Sequence, residues 1–252
     1  MIEGALRLLG FCDEIIVVID DRTTDRTEEL ARQYTENVHC ASFAGFASLK
    51  NEGVRRARGE WIVFCDADER ITPRLATQLR DAVASGTDRW AFRTPTVNFF
   101  WGRRMEHGGW RETHIKIARR QHALHQGDVH ELLSVPESRV GWLPGERWHF
   151  SHRSLEENLS KTIRYGHLDA AQRFAAGAQP VRPVTFLRVM LRDFARRMVR
   201  RVGWRDGMPG LIEGIYQPFA MFCAAAMLWE CQHQTEIERS YVDLERLVAE
   251  ET

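Results

Sequence analysis

Trp61-Ile62-Val63-Phe64-Cys65-Asp66-Ala67-Asp68 is the stretch on which the fold turns. Five apolar residues in a row, preceded by Arg58-Gly59-Glu60 and followed by charge, predict a short buried strand. Two carboxylates one residue apart at the carboxyl end of such a strand sit at the rim of an open α/β sheet, where ligands bind. They repel each other unless a cation lies beside them, and hard oxygen donors suit Mg²⁺ or Mn²⁺ carrying substrate phosphates. An Asp-x-Asp pair is also an ordinary surface turn, so the surrounding sequence has to decide between the two.

Upstream, Glu14-Ile15-Ile16-Val17-Val18-Ile19 predicts a second buried strand, ending in Asp20-Asp21-Arg22-Thr23-Thr24. This hydroxyl- and carboxylate-rich tract can cap a helix from about Thr27 to Gln33. Asp20, at a strand end, can accept hydrogen bonds from a base or ribose. Phe43 to Gly53 leads into a basic helical stretch ending at Arg58, in which Lys50 is placed to meet a diphosphate; a solvated helical lysine is the alternative. Downstream, Arg89 to Phe100 reads as a strand leading into an aromatic turn. Trp101, Trp110, Trp142 and Trp148 then supply either core or faces for stacking on a sugar ring.

The order strand–Asp20, helix, Lys50-Asn51 helix, strand–Asp66-Ala67-Asp68, continued by Glu69-Arg70-Ile71-Thr72-Pro73, resembles glycosyltransferase family 2. These are inverting, nucleotide-sugar-dependent enzymes of the GT-A fold. Asn98-Phe99-Phe100-Trp101-Gly102, His107-Gly108-Gly109-Trp110, Val129-His130-Glu131 and His149-Phe150-Ser151 follow in the order seen in one subgroup. That subgroup is similar to the glucosyltransferases of the lipopolysaccharide core. The resemblance covers about residues 2 to 230. It implies an α/β chain with a Rossmann-like, mostly parallel sheet between flanking helices: a nucleotide-sugar domain over 1–153 and a helical region over 154–252.

The resemblance also implies roles. Asp20 would hold base or ribose, Lys50 the donor region, and Asp66 ribose or metal. Asp68 would hold the metal, with His149 completing its shell or contacting the diphosphate. Glu131 would take the acceptor proton, with His130 as neighbour or support. The donor is expected to be a UDP-hexose, the metal Mg²⁺ or Mn²⁺, and the acceptor a lipid-linked or cell-surface glycan. Family members begin with a strand that lies centrally in the sheet. Here Met1 to Gly10, with Ile2, Leu6 and Leu9 at helical spacing, looks like the helix after that strand, so the first strand is expected to be missing. A catalytically inactive GT-A scaffold for envelope polysaccharide assembly is therefore the rival reading. A sugar-phosphate nucleotidyltransferase would need a glycine-rich phosphate loop, which the N-terminal sequence lacks. Hydrolytic two-carboxylate chemistry fits badly, because side chains two apart on a strand do not face each other across a substrate.

The 252 residues are enough for one α/β domain with an appendage. Thirty-five basic residues balance 35 acidic ones, which argues against a general nucleic-acid binder. Five cysteines without a CxxC pair suit a reduced, cytoplasmic protein, and no charged-then-apolar leader pattern opens the sequence. Residues 184–205 set Phe186, Met190, Phe194 and Met198 against seven arginines, with Asp193 the one acid. Such a helix can lie among anionic headgroups on the inner face of the bacterial cytoplasmic membrane, with Trp204 at the interface; a packed helix with a solvated arginine face is the alternative. Met208 to Trp229 is apolar but interrupted by Glu213, Gln217 and Pro218. It predicts a helical hairpin whose arms join at Asp206-Gly207-Met208-Pro209-Gly210, followed by a short polar helix after Gln232.

Overall fold

The computed structural model describes residues 1–126 and 132–250. The chain forms two compact units: Met1–Glu106 with Trp110–Ser151, and His107–Gly109 with His152–Thr252.

The first unit begins with α1 (Ile2–Leu6), β1 (Val17–Asp20), α2 (Thr27–Ala31), β2 (Val38–Ala41), α3 (Phe46–Arg56), β3 (Trp61–Val63), β4 (Glu69–Ile71) and α4 (Pro73–Ala84). It continues with β5 (Ala91–Phe100), β6 (Arg103–Arg104), β7 (Arg111–Arg119), β8 (His125–Gln126), β9 (Leu132–Leu133), β10 (Val140–Trp142) and β11 (Arg147–His149). Local chemistry explains the clearest of these. The Thr72 hydroxyl accepts from the Leu75 N–H at 3.3 Å, Pro73 occupies the first turn, and Leu75 and Leu79 bury one face of α4. Leu6, Leu9, Val17, Ile19, Leu75 and Ile117 meet in the main core.

The α/β architecture is the expected one, but the sheet is mixed and not mostly parallel. Its order is β3-β7-β5-β11-β4, with β6 and β10 also on β5. β10 and β11 run parallel to β5, while β7 is antiparallel to both β3 and β5, and β4 antiparallel to β11. The turn at Trp101 and Gly102, both at positive φ (46° and 74°), folds β6 back on β5, and connections this short can only join antiparallel strands. β1 and β2 form a separate parallel pair. Among the described residues β1 therefore pairs on one side only and β3 pairs only with β7, and every residue of both strands lines one cleft of about 1090 Å³.

The second unit is helical: α5 (Leu155–Ala175), α6 (Pro183–Phe194) running on through a π-helical stretch over Ala195–Arg200, a 3₁₀ turn over Gly203–Asp206, and α7 (Gly207–Glu250). Ser154 caps α5 by accepting from the Glu157 N–H at 3.1 Å, as its position before an acidic turn predicts. The expected hairpin is present, its arms α6 and α7 packed together and joined through Asp206-Gly207, but the expected short tail helix is not separate: α7 runs on as one continuous helix. Pro209 sits in its first turn, where a missing N–H costs nothing, and Gly207 at φ 69° makes the entry. Pro218 lies inside α7, where packing against α5 and α6 offsets the lost backbone bond. The expected apolar face of α6 turns inward in part: Phe186 packs on Phe222 with centroids 5.4 Å apart and Met198 is buried, while Phe194 of the same stripe stays exposed. Val184, Leu187, Leu191 and Phe194 are the apolar residues left exposed, beside Arg188 and Arg192. Buried carboxylates are matched within this unit. Glu213 meets His152 Nδ1 at 2.6 Å, Asp206 accepts the His107 N–H at 2.8 Å, and Asp193 meets Arg197 Nε at 2.9 Å.

A Cβ at Gly145 would fall 2.5 Å from Leu75 Cα and 2.7 Å from its nitrogen, so backbone must move to admit it. Gly145→Ala should cost about 1–3 kcal/mol as overpacking, and Leu75→Ala about 2–5 kcal/mol as a cavity. Urea denaturation of each variant checks this, and a parental midpoint for Gly145→Ala would contradict the close approach.

Candidate active site

The acidic turn that follows β3 is built from four elements of the first unit. The Phe64 N–H donates to the Lys116 carbonyl at 2.8 Å, which carries the β3–β7 pairing one residue beyond the strand. The chain then turns out at Asp66, and the Glu69 N–H closes the turn on the Asp66 carbonyl at 2.8 Å. Side chains lock it. Lys116 Nζ lies 2.6 Å from Asp66 Oδ2 and 3.3 Å from Glu69 Oε1, and the Asp66 N–H donates to Glu69 Oε2 at 3.1 Å. Arg147 Nε is 3.1 Å from Glu69 Oε1, and its Nη2 donates to Thr96 Oγ1 at 2.6 Å. Glu69 and Arg147 are almost completely buried, so the pairing offsets the cost of taking both charges out of water.

The two aspartates have different surroundings. Lys50, from α3, comes within 4.0 Å of Asp66 Oδ1. Burial acts to raise the Asp66 carboxyl, but Lys116 and Lys50 outweigh it and hold it at about 2. Burial likewise opposes the charge on Lys116, and Glu69 and Asp66 overcome it, so the ammonium titrates above its ordinary value. Asp68 instead faces His149, with Oδ2 and Nε2 3.4 Å apart, and its carbonyl accepts from the Phe150 N–H at 2.8 Å. Asn98 Nδ2 donates to the Trp110 carbonyl at 2.8 Å, so its Oδ1 is the atom presented to His149 Nδ1 at 2.8 Å. A neutral His149 therefore carries its proton on Nδ1 and turns the lone pair of Nε2 toward Asp68. Two acceptors facing each other call for a proton or a cation near both.

The sequence-predicted residues distribute as follows. Asp20, Lys50 and Asp66, from three different elements, all line the cleft bounded by β1 and β3. Asp20 is held by Arg22, which donates to it from Nε at 2.9 Å, Nη2 at 2.6 Å and the backbone N–H at 3.0 Å. These bonds bring its carboxyl down to about 2. The structure brings Asp68 and His149 together and sets Asp66 on Lys116. Among the described residues no three His, Cys, Asp or Glu side chains cluster as a metal site. His130 and Glu131 lie outside the described residues. Of the four tryptophans, Trp142 and Trp148 are exposed, Trp148 beside Phe99 at 5.1 Å, while Trp110 packs on Phe100 at 4.6 Å. Burial, with Glu69 and Asp66 nearby, pushes the Cys65 thiol up to about 12, so it is no nucleophile.

Lys116 and Arg147 escaped the reading of the sequence, and Glu69, Asn98 and Arg22 were read only as parts of motifs, without these roles. Lys116 left one legible signal: a lysine between Ile115 and Ile117, in a strand, is a charge flanked by core residues.

The model of glycosyl transferase family 2 matches residues 2–131. The lipopolysaccharide core biosynthesis glycosyltransferase LpsC of Rhizobium meliloti is 27% identical over 236 residues, covering 87% of this chain and 83% of LpsC. The uncharacterized glycosyltransferase YibD of Escherichia coli is 32% identical over 91 residues, 31% of this chain and 26% of YibD. The crystal structure of S. aureus TarS 1-349 aligns over 93% of this chain and 88% of that one, with a TM-score of 0.41 and 15% identity.

His114 Nδ1 lies 2.9 Å from Thr96 Oγ1. Desolvation of its inner edge, with the charges of Arg147 and Lys116, holds the imidazole at about 4. A folded value below the unfolded one, about 6.5, means that stability present above pH 6.5 is lost as pH falls toward 4. His114→Gln should flatten the dependence of Tm on pH in that window; an unchanged slope would contradict the assignment.

Proposed function

Because this chain belongs to glycosyl transferase family 2, we propose that it moves a hexose from a UDP-linked donor to a lipid-linked or cell-surface glycan, inverting the anomeric carbon with a divalent metal's help. The observation that carries this reading is the convergence of Asp20, Lys50 and Asp66 on one cleft, with Asp68 and His149 just beyond Asp66. Asp20 and Asp66 supply charged acceptors to base and ribose hydroxyls. Lys50 supplies a cation to the diphosphate. LpsC, alike over most of both chains, favours a lipopolysaccharide-type acceptor.

The donor set at Asp68 and His149 fits a hard dication. Mg²⁺ and Mn²⁺ are held by one or two protein ligands plus substrate phosphates, so two donors suffice, and the Nδ1–H of His149 is already fixed by Asn98. When bound there, the ion supplies positive charge to the departing nucleoside diphosphate. Glu131 takes the acceptor hydroxyl's proton as that oxygen bonds to the anomeric carbon, while the bond from that carbon to the diphosphate oxygen breaks. His130 stands beside Glu131 in the sequence and supports it. The rival reading, a GT-A scaffold without turnover, is favoured by the interrupted pairing between β1 and β3; consumption of UDP-hexose decides between them.

The second unit supports a peripheral place on the inner face of the cytoplasmic membrane. Leu187 and Leu191 on α6 are 60% and 58% exposed, beside Arg188 and Arg192, a pattern matched to anionic headgroups over acyl chains. By length and composition α7 is apolar enough to cross a bilayer. Glu213 in its first half is nevertheless buried against His152, so α7 is read as a packed helix that lies on the membrane side.

With Mn²⁺ present, a UDP-hexose at a hundredfold excess over its Kd should stabilise the chain by about 2.7 kcal/mol. The absence of a thermal shift with every nucleotide sugar tried would refute the donor site. Asn98→Ala should weaken Mn²⁺ binding by roughly 10–100-fold through loss of the His149 orientation, measured by electron paramagnetic resonance. Reversing Arg188 and Arg192 to glutamate should abolish flotation with anionic liposomes and leave the secondary structure unchanged by circular dichroism; persistent flotation would remove α6 from the membrane.

A further inference from the structure

The two aspartates of the acidic turn are only two residues apart, yet their charges are settled in different ways. Asp66, Glu69, Lys116 and Arg147 form a balanced quartet of two negative and two positive groups, linked at 2.6, 3.3 and 3.1 Å. Arg147 is 1% exposed and Glu69 3%, and the Lys116 backbone is fixed by its bond to Phe64, so the quartet cannot rearrange cheaply. A dication bound to Asp66 would face the Lys116 ammonium across the same carboxylate. Asp68 lies outside the quartet, with Oδ2 3.4 Å from His149 Nε2, the nitrogen that His149 can offer a cation when Asn98 holds its Nδ1–H. Asp66 Oδ1, with Lys50 at 4.0 Å, still presents an acceptor to the cleft.

We propose that Lys116 is a positioning residue that reserves Asp66 for hydroxyls of the nucleotide and confines the divalent metal to Asp68 and His149. This rests on the assignment of donor and metal to these residues above. Lys116 does so by occupying Oδ2 from inside the protein, which fixes the carboxylate's rotamer and supplies the charge that a metal would otherwise bring.

Two titrations of the full-length chain test this: Mn²⁺ binding followed by electron paramagnetic resonance, and metal-free UDP binding followed by calorimetry. In Lys116→Met, Mn²⁺ should bind about tenfold more tightly and UDP about tenfold more weakly, because Asp66 is released to the metal, and Lys116→Arg should restore both values. Asp66→Asn keeps the lysine and guards against a Lys116→Met chain that fails to fold. It should lose UDP affinity and leave Mn²⁺ affinity unchanged, whereas Asp68→Asn should do the reverse. If Mn²⁺ affinity falls in Asp66→Asn as it does in Asp68→Asn, or if Lys116→Met folds and alters neither titration, the proposal is overturned. If Asp68→Asn leaves Mn²⁺ affinity intact, the underlying metal assignment fails instead.

Discussion

The contact between Lys116 and the Asp66–Glu69 pair is the constraint on which the first unit's site depends. Its members, with Arg147, come from the turn after β3 and from β4, β7 and β11, so four segments must agree in register before the charges can meet. A one-residue slip of β7 would place Ile115 or Ile117 under the acidic turn and leave two carboxylates with only Arg147 to answer them. Such a slip would also take Ile117 off the core face, so apolar packing and the buried ions favour the same register. The site and the sheet are thus specified by the same interaction, and the backbone bond from Phe64 to Lys116 ties them together.

The helical unit applies the same rule with different partners. Each of its three buried carboxylates, Asp193, Asp206 and Glu213, is met by a base within the unit. Asp193 is met from its own helical run, whereas Glu213 is met by His152 from before α5, which fixes the face of α7 that turns inward. The stripe predicted as the outer, membrane-facing one, with Phe186 and Met198, is used for packing. A second set, Leu187 and Leu191, about 100° around the helix from it, remains exposed.

Much of this was legible in the sequence, and the limits have physical causes. The run Trp61 to Cys65 ending in Asp66 gave strand and turn, because burial and charge alternate there over a few residues. Ser154 before an acidic first turn gave the start of α5 for the same local reason. The mixed sheet was not legible, since strand direction depends on which distant segments meet. The quartet was equally hidden: nothing near Arg147 in the sequence marks it as the partner of Glu69, 78 positions away. Gly207 and Pro209 did mark the turn into α7, but Pro218 and the polar tail after Gln232 did not end it, because tertiary packing outweighs local propensity. Within the candidate site, residue types were readable while their pairings were not: Asp66 and Asp68 look equivalent on paper and differ through Lys116 and His149.

The halting of hydrogen-bonded pairing between β1 and β3 reaches beyond catalysis. Backbone donors and acceptors along a strand's open side form a template that any extended polypeptide can copy, and an apolar trough flanked by two such templates is more receptive than one. Handling of this molecule, its yield on expression and its tendency to clump when concentrated should be governed by that seam more than by its neutral overall charge.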